Sequence, residues 1–362
     1  MKLKPICIAA VCSTFSIISC KKNNDTVVVP EAPAVVYVAG TEYGTGNSNH
    51  SIAKYWQDGV AHIPNVDTTK DSEGYSVFVN GNDVYLAGFS YDLTNSHPVA
   101  KCWKNGTDIL LPVNNYSSIA KSVFVSGTDV YVAGYEQNGT NYVAKYWKNG
   151  VATNLTNGSY RAVATAIFVS GNDVYVAGNE RNANGNLIAK YWKNGVETVL
   201  SSDGAPYTLY AEASAITVTG NEVYIAGNEY DQSTGFQIAK HWKVSNGAAP
   251  QLTNLTSGTS DAYASGVAVS NNKVYLAITT NFGTNGYLAT GWKDGVASNL
   301  GNSTEDSYAN AIAVKGNDVY VAGFEETPGN NPNEIAKYWK NGVGVNLTGT
   351  NGYAEAFGIF VK

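Results

Sequence analysis

Apolar and polar residues alternate in short runs along this chain, and the runs come back in the same order. The clearest unit spans 164–200. Ala-Thr-Ala-Ile-Phe-Val (164–169) reads as a first strand and Ser-Gly-Asn-Asp (170–173) as a tight turn. Val-Tyr-Val-Ala-Gly (174–178) is a second strand, followed by a variable loop from Asn179 to Asn186. Ile-Ala-Lys-Tyr-Trp-Lys (188–193) is a third strand, Asn194-Gly195 a turn, and Val-Glu-Thr-Val-Leu (196–200) a fourth. Val, Ile, Tyr, Phe and Trp suit a pleated, half-buried surface. Asn-Gly and Asp-Gly supply the positive φ that two-residue hairpins need. No segment sustains a 3.6-residue apolar period, so helix has no support.

The second-strand signature recurs seven times, with tyrosines 37, 85, 131, 175, 224, 275 and 320. A tryptophan follows each one after 16 to 19 residues, at 56, 103, 147, 192, 242, 292 and 339, and these are all the tryptophans in the chain. A period of 44 to 51 residues with strand chemistry points to a β-propeller, one repeat per blade. The first repeat starts at Val35-Val36-Tyr37, already in a second strand. The chain ends with Ala-Phe-Gly-Ile-Phe-Val (356–361), a first strand with nothing after it. The expected fold is therefore all-β. It is a seven-bladed β-propeller over 34–362, four antiparallel strands per blade, with the C-terminal strand completing the first blade and removing an open edge.

Upstream, Lys2 and Lys4 precede an apolar run from Pro5 to Ser19 that ends Ile17-Ile18-Ser19-Cys20. Fifteen residues are too few for a membrane-spanning helix, which needs about 20. A basic start, an apolar middle and a small residue before the cut describe a secretory signal. With cysteine at the cut, the segment resembles the lipobox of bacterial lipoproteins, and Lys-Lys-Asn-Asn-Asp (21–25) resembles those of the Bacteroidetes kind. The resemblance implies a signal peptide over 1–19, a diacylglycerol on Cys20, a tether over 20–33 and a lipid-anchored protein of the cell envelope, at the outer membrane. Asp25-Thr26-Val27 looks like an O-glycosylation site of the same group.

Composition narrows the functions. Cys7 and Cys12 leave with the signal and Cys20 takes lipid, so Cys102 is left alone and no intrachain disulfide can form. Cys102 stands where other repeats have the tyrosine of Lys-Tyr-Trp and reads as a buried, inert thiol. The net charge of −6 and the lack of any basic patch argue against nucleic acid as a partner. His50, His62, His97 and His241 show no metal-ligand spacing, so neither a metal nor a cofactor is expected. Arg161 and Arg181 are the only arginines, too few for an arginine triad at the centre of a ring.

Side chains held in every repeat read as framework. The tryptophans are assigned to the core between blades. Acidic residues at 83, 129, 173, 222 and 318 could suggest calcium, but a turn accounts for each. Glutamates 42, 136, 180, 229 and 325 recur with lysines 54, 101, 145, 190, 240 and 337, and the sixth repeat lacks both, with Thr280 and Thr290. They read as cross-strand pairs; exposed pairs are worth about 0–1 kcal/mol each, which makes Glu180→Gln nearly neutral. Five equivalent glutamates do not look like one acid and one base, and no catalytic residue is assigned.

The tight turns fall on one face of the expected ring and the variable loops on the other, where function usually resides. Each inter-repeat stretch holds a tyrosine: Tyr75, Tyr116, Tyr160, Tyr210, Tyr263, Tyr308 and Tyr353. Their offsets to the valine of the next strand are 4, 9, 9, 8, 6, 6 and 8, so they do not keep a core register. They are the candidate ligand-binding residues, aromatic platforms for a glycan or protein. The leading expectation is a non-catalytic lipoprotein that binds glycan or protein through the variable-loop face. The alternatives are a carbohydrate-active hydrolase or lyase at that face, which requires one blade-asymmetric cluster of acids, and a structural envelope scaffold.

Overall fold

A computed structural model describes residues 33–44, 50–91, 97–201, 210–282, 286–302, 304–329 and 333–362. Cys20, its signal segment and the tether to residue 32 lie outside the described residues. The described residues form 28 strands and no helix. The strands make seven four-stranded antiparallel sheets, the blades of a β-propeller. Blade one has the order β28-β1-β2-β3, with β28 (Ala354–Val361) pairing β1 (Val36–Tyr43), followed by β2 (Ser51–Gln57) and β3 (Val60–His62). The backbones of Val35 and Lys362 exchange both hydrogen bonds at 2.9 Å, so the chain ends close the ring as the sequence implies.

Burial peaks at the second strand of a blade and falls from there outward. In blade four, the second strand β13 (Asp173–Arg181) is buried at six consecutive positions, while the outer β15 (Val196–Val199) starts exposed. Each core lies between two blades. Tyr175, Ala177, Ala189, Tyr191 and Leu200 of blade four pack on Ile216, Val223, Ile225 and Trp242 of blade five. The same seam closes the ring, with Tyr320 and Ala322 of blade seven against Trp56, Ala354 and Ala356 of blade one. Six tryptophans are at most 2% exposed; Trp292 of blade six is only partly buried.

The turn face is tied down by one repeated network. Asn194 at φ 51° and Gly195 at φ 82° make the tight hairpin. The Asn194 side chain accepts from the Val174 amide at 2.9 Å and donates to Asp173 at 2.8 Å, and Lys193 reaches the same carboxylate at 2.8 Å. Asp83, Asp129 and Asp318 have the same Asn and Lys partners, and Glu222 pairs with Lys243. The lysine bonds hold these carboxyls below the usual carboxylate range.

Candidate functional site

The innermost strands are β4 (Ser72–Asn80), β8 (Ser118–Ser126), β12 (Ala162–Ser170), β16 (Ala211–Thr219), β20 (Ala262–Ser270), β24 (Ser307–Lys315) and β28. Each contacts the next, and β28 contacts β4, so together they wall a central channel. Each carries a β-bulge at the same place, where one extra residue lies between two small ones. The tripeptides are Gly74-Tyr75-Ser76, Ala120-Lys121-Ser122, Ala164-Thr165-Ala166, Ala213-Ser214-Ala215, Ala264-Ser265-Gly266, Ala309-Asn310-Ala311 and Ala356-Phe357-Gly358. Small flanks let seven strands converge at the axis. The bulge also drives a carbonyl against the second-strand glycine. A Cβ on Gly178 would sit 2.1 Å from the Val163 oxygen, which explains the glycine that ends the signature.

The bulged residues line a channel of about 500 Å³. Their backbone setting is the same seven times, but their chemistry is not. Blades one to three present Phe357, Tyr75 and Lys121, and blades four to seven present Thr165, Ser214, Ser265 and Asn310. Toward the turn face the asymmetry repeats. Phe360, Phe78, Phe124 and Phe168 pack in sequence as tilted rings with centroids 4.7 to 4.9 Å apart, opposite Thr217, Ala268 and Ala313.

Lys121 is the charged member of the aromatic wall. Its Nζ lies 3.6 Å from the Tyr75 ring centroid, and Tyr75 packs on Phe357 at 5.4 Å and donates its hydroxyl to Glu73 at 2.5 Å. The paired lysines on the third strands all reach a carboxylate, but Lys121 has none within bonding reach among the described residues. Enclosure by the ring pushes its ammonium down to about 8, with Glu73 opposing that shift. Desolvation, then the charges of Glu73 and nearby phenols, push the Tyr75 hydroxyl up, so it stays a neutral donor. Tyr43 and Tyr135 are raised to about 12, mainly by burial.

An arc of carboxyls lies beside this wall on blades seven, one and two. Glu355 is raised to about 7 by burial, then by Glu334 and Glu73. Glu334 is raised by burial and Glu326, and Glu326 by burial, Asp306 and Glu305. Because Glu355 holds its proton more tightly folded than unfolded, stability is full below its ordinary pKa and falls as pH rises through about 7. Glu355→Gln is therefore expected to stabilise the protein by about 1–3 kcal/mol at pH 8 and to change nothing at pH 4. Paired thermal melts at the two pH values check this; an equal shift at both contradicts the assignment.

The seven candidate tyrosines divide. Tyr116, Tyr160 and Tyr353 are exposed by 48%, 42% and 43% on the loops. Tyr160 lines a cleft of about 470 Å³ with Glu180, Arg181, Ile188 and Lys190. Tyr210 is half-buried just before β16 and donates to Glu212 at 2.6 Å. Tyr75, Tyr263 and Tyr308 are not on loops but within the innermost strands, where Tyr308 stacks on Phe324 at 4.5 Å. The first strands run nine residues rather than six, and so take in these three. The sequence reading missed Lys121, Glu73, Glu355 and Phe357; the small–x–small tripeptide was the signal that would have found Lys121 and Phe357, and Glu73 and Glu355 each stand one residue before such a tripeptide.

Two further expectations change or sharpen. The Glu–Lys pairs are interior, not exposed: Lys145 and Glu136 are 7% and 9% accessible, and Lys190 and Glu180 are 12% and 13% accessible, 2.7 Å apart. The lysine stands opposite the signature glycine and reaches diagonally to the glutamate under the variable loop. Cys102 is fully buried, with its thiol pushed up to about 12 by desolvation, and is no nucleophile.

No family model matches this chain, and no curated protein matches it. Among solved structures it is similar to a puromycin-hydrolyzing peptidase of Mycobacterium tuberculosis. That match has TM-score 0.51 and 9% identity, over 77% of this chain and 47% of the other. It is also similar to an acylaminoacyl peptidase of Pyrococcus horikoshii, with TM-score 0.50 and 13% identity, over 88% of this chain and 51% of the other. The chain spans about half the length of these two peptidases. At such identities the likeness is one of fold alone.

Proposed function

We propose that this propeller is a non-catalytic binding protein whose ligand enters the loop-face mouth of the channel, and that the ligand is a glycan. One observation carries the reading: seven identical bulges hold chemically different side chains, concentrated as Phe357, Tyr75 and Lys121 on one wall. Framework needs would repeat with the framework, as the tryptophans do. An aromatic wall facing hydroxyls and an amide suits a sugar ring, which stacks through its C–H face and bonds through its hydroxyls. Tyr160, over its own cleft, extends the surface for a longer chain. A protein ligand remains the alternative partner at the same face.

The test is a glycan screen with the full chain, followed by Tyr75→Ser. That change installs the residue blades five and six carry at the same bulge, so folding is retained. Binding should weaken by about 1–3 kcal/mol. Unchanged affinity in Tyr75→Ser sinks the channel site. Steady release of a cleaved product, abolished by Glu355→Gln, would instead establish the hydrolase reading, which the blade-asymmetric acids and the raised Glu355 carboxyl favour.

The lipobox-like segment ending in Cys20 supports an anchored location in the cell envelope, through lipid alone. Metabolic labelling with a fatty acid should mark the wild-type chain and not Cys20→Ala. A membrane-bound, mature-sized Cys20→Ala protein overturns the anchor.

A further inference from the structure

Blade six breaks the repeat at a position unrelated to the channel. The residue before each third-strand tryptophan is Tyr55, Cys102, Tyr146, Tyr191, His241 and Tyr338 in the other blades, and Gly291 in blade six. Tyr191 shows what normally fills this place. Its ring belongs to a core with Tyr175, Leu200, Ile216, Val223, Ile225 and Trp242. Blade six and its neighbour keep the counterpart of every one of these walls: Tyr275, Leu300, Ile312, Val319, Val321 and Trp339. What remains is a cavity of about 150 Å³, open at the turn face, with Trp292 on its side and Lys293, Ser298 and Asn341 among its lining residues. A Cβ on Gly291 would meet nothing nearer than the Ser298 hydroxyl at 3.4 Å, so the space begins at the backbone. The cavity also accounts for Trp292 being the one tryptophan that is not fully buried.

We propose that this socket is a second binding site, for a single phenol-class aromatic ring that takes the place of the missing tyrosine side chain. The volume is that of one ring: a cavity of about 150 Å³ admits benzene. The walls offer two indoles, where stacked and edge-on ring contacts are favoured. Asn341 is held by the Val319 amide and Asp318, and Ser298 donates to the Gly291 carbonyl at 3.2 Å, which leaves the Ser298 oxygen to accept from the hydroxyl of a phenol. The ring could be a free phenol or the tyrosyl side chain of a partner polypeptide, and the chemistry is the same.

The experiment titrates the full chain with p-cresol, the tyrosine side chain as a free molecule, and follows tryptophan fluorescence and Tm. Saturable quenching with a rising Tm is expected. Gly291→Tyr should fill the socket from within, raise Tm without ligand and weaken p-cresol binding at least about tenfold. Gly291→Val, smaller and suited to a strand, should give a partial loss and covers the case in which the tyrosine variant misfolds. No saturable p-cresol binding overturns the proposal, and so does equal binding by wild type and Gly291→Val. A short peptide with an internal tyrosine separates the sources. If it competes with p-cresol, the socket accepts a partner's side chain; if p-cresol alone binds, it takes a free phenol.

Discussion

Deletion of residues 355–362 should abolish cooperative folding of the ring. The removed strand pairs with β1 along its length, and its last backbone group exchanges two hydrogen bonds with Val35. It supplies Ala356, Ile359 and Val361 to the seam between blades seven and one, and packs Phe360 on Phe78 at 4.9 Å. Fully burying a large apolar side chain is worth about 1.5–3 kcal/mol; Phe357, Ile359, Phe360 and Val361 are each partly buried, so together they contribute several kcal/mol, below the roughly 6–12 kcal/mol of full burial. A domain's net stability is about 5–15 kcal/mol. The inner edge of β1 would also open to pairing with other chains. Size exclusion and a circular-dichroism melt decide the matter: aggregation, or loss of a single steep transition, is expected. A monomer with an unchanged melting temperature would mean that the closing strand contributes little.

The repeat, the blade number and the closure were legible because they depend on local chemistry. Asn-Gly pairs make hairpins wherever they fall between apolar runs, and a first strand with no successor has one place to go. The depth of each side chain was less legible, because it depends on how closely neighbouring blades approach. The Glu–Lys pairs have the composition of a surface and the position of an interior, covered by variable loops the pattern does not describe. Register was legible in part. Tyr75, Tyr263 and Tyr308, with offsets of 4, 6 and 6, lie within strands, and those with offsets of 8 and 9 precede them. The bulge tripeptides were in plain view, but alanine, glycine and serine carry no apolar signal, and the residue between them is shared only by blades five and six. Gly291 escaped notice for a related reason. An absent side chain breaks no alternation, and only the retained walls show that something is missing.

Lys145→Met should cost about 3–5 kcal/mol, far more than an exposed pair allows. The Lys145 and Glu136 side chains are 7% and 9% accessible, and Nζ bonds directly to the carboxylate. The same carboxylate accepts the Asn114 amide, so it also holds the loop leading into β8. Removing the lysine leaves that anion interior without its counter-charge, and only the Asn114 amide is left to offset its desolvation. Glu136→Gln should cost less, since the amide keeps an oxygen for the Asn114 amide but strands the ammonium. Pairing Lys145→Met with Glu136→Leu removes both charges and restores apolar volume, and such replacements are often neutral or stabilising. The double variant is therefore expected to lie closer to wild type than Lys145→Met does. Urea melts of wild type, Lys145→Met, Glu136→Leu and the double variant give the coupling directly. A loss below about 1 kcal/mol in Lys145→Met would mean that water reaches the pair beneath the loop. A double variant as unstable as the sum of the singles would mean that the two side chains act through packing, not through each other.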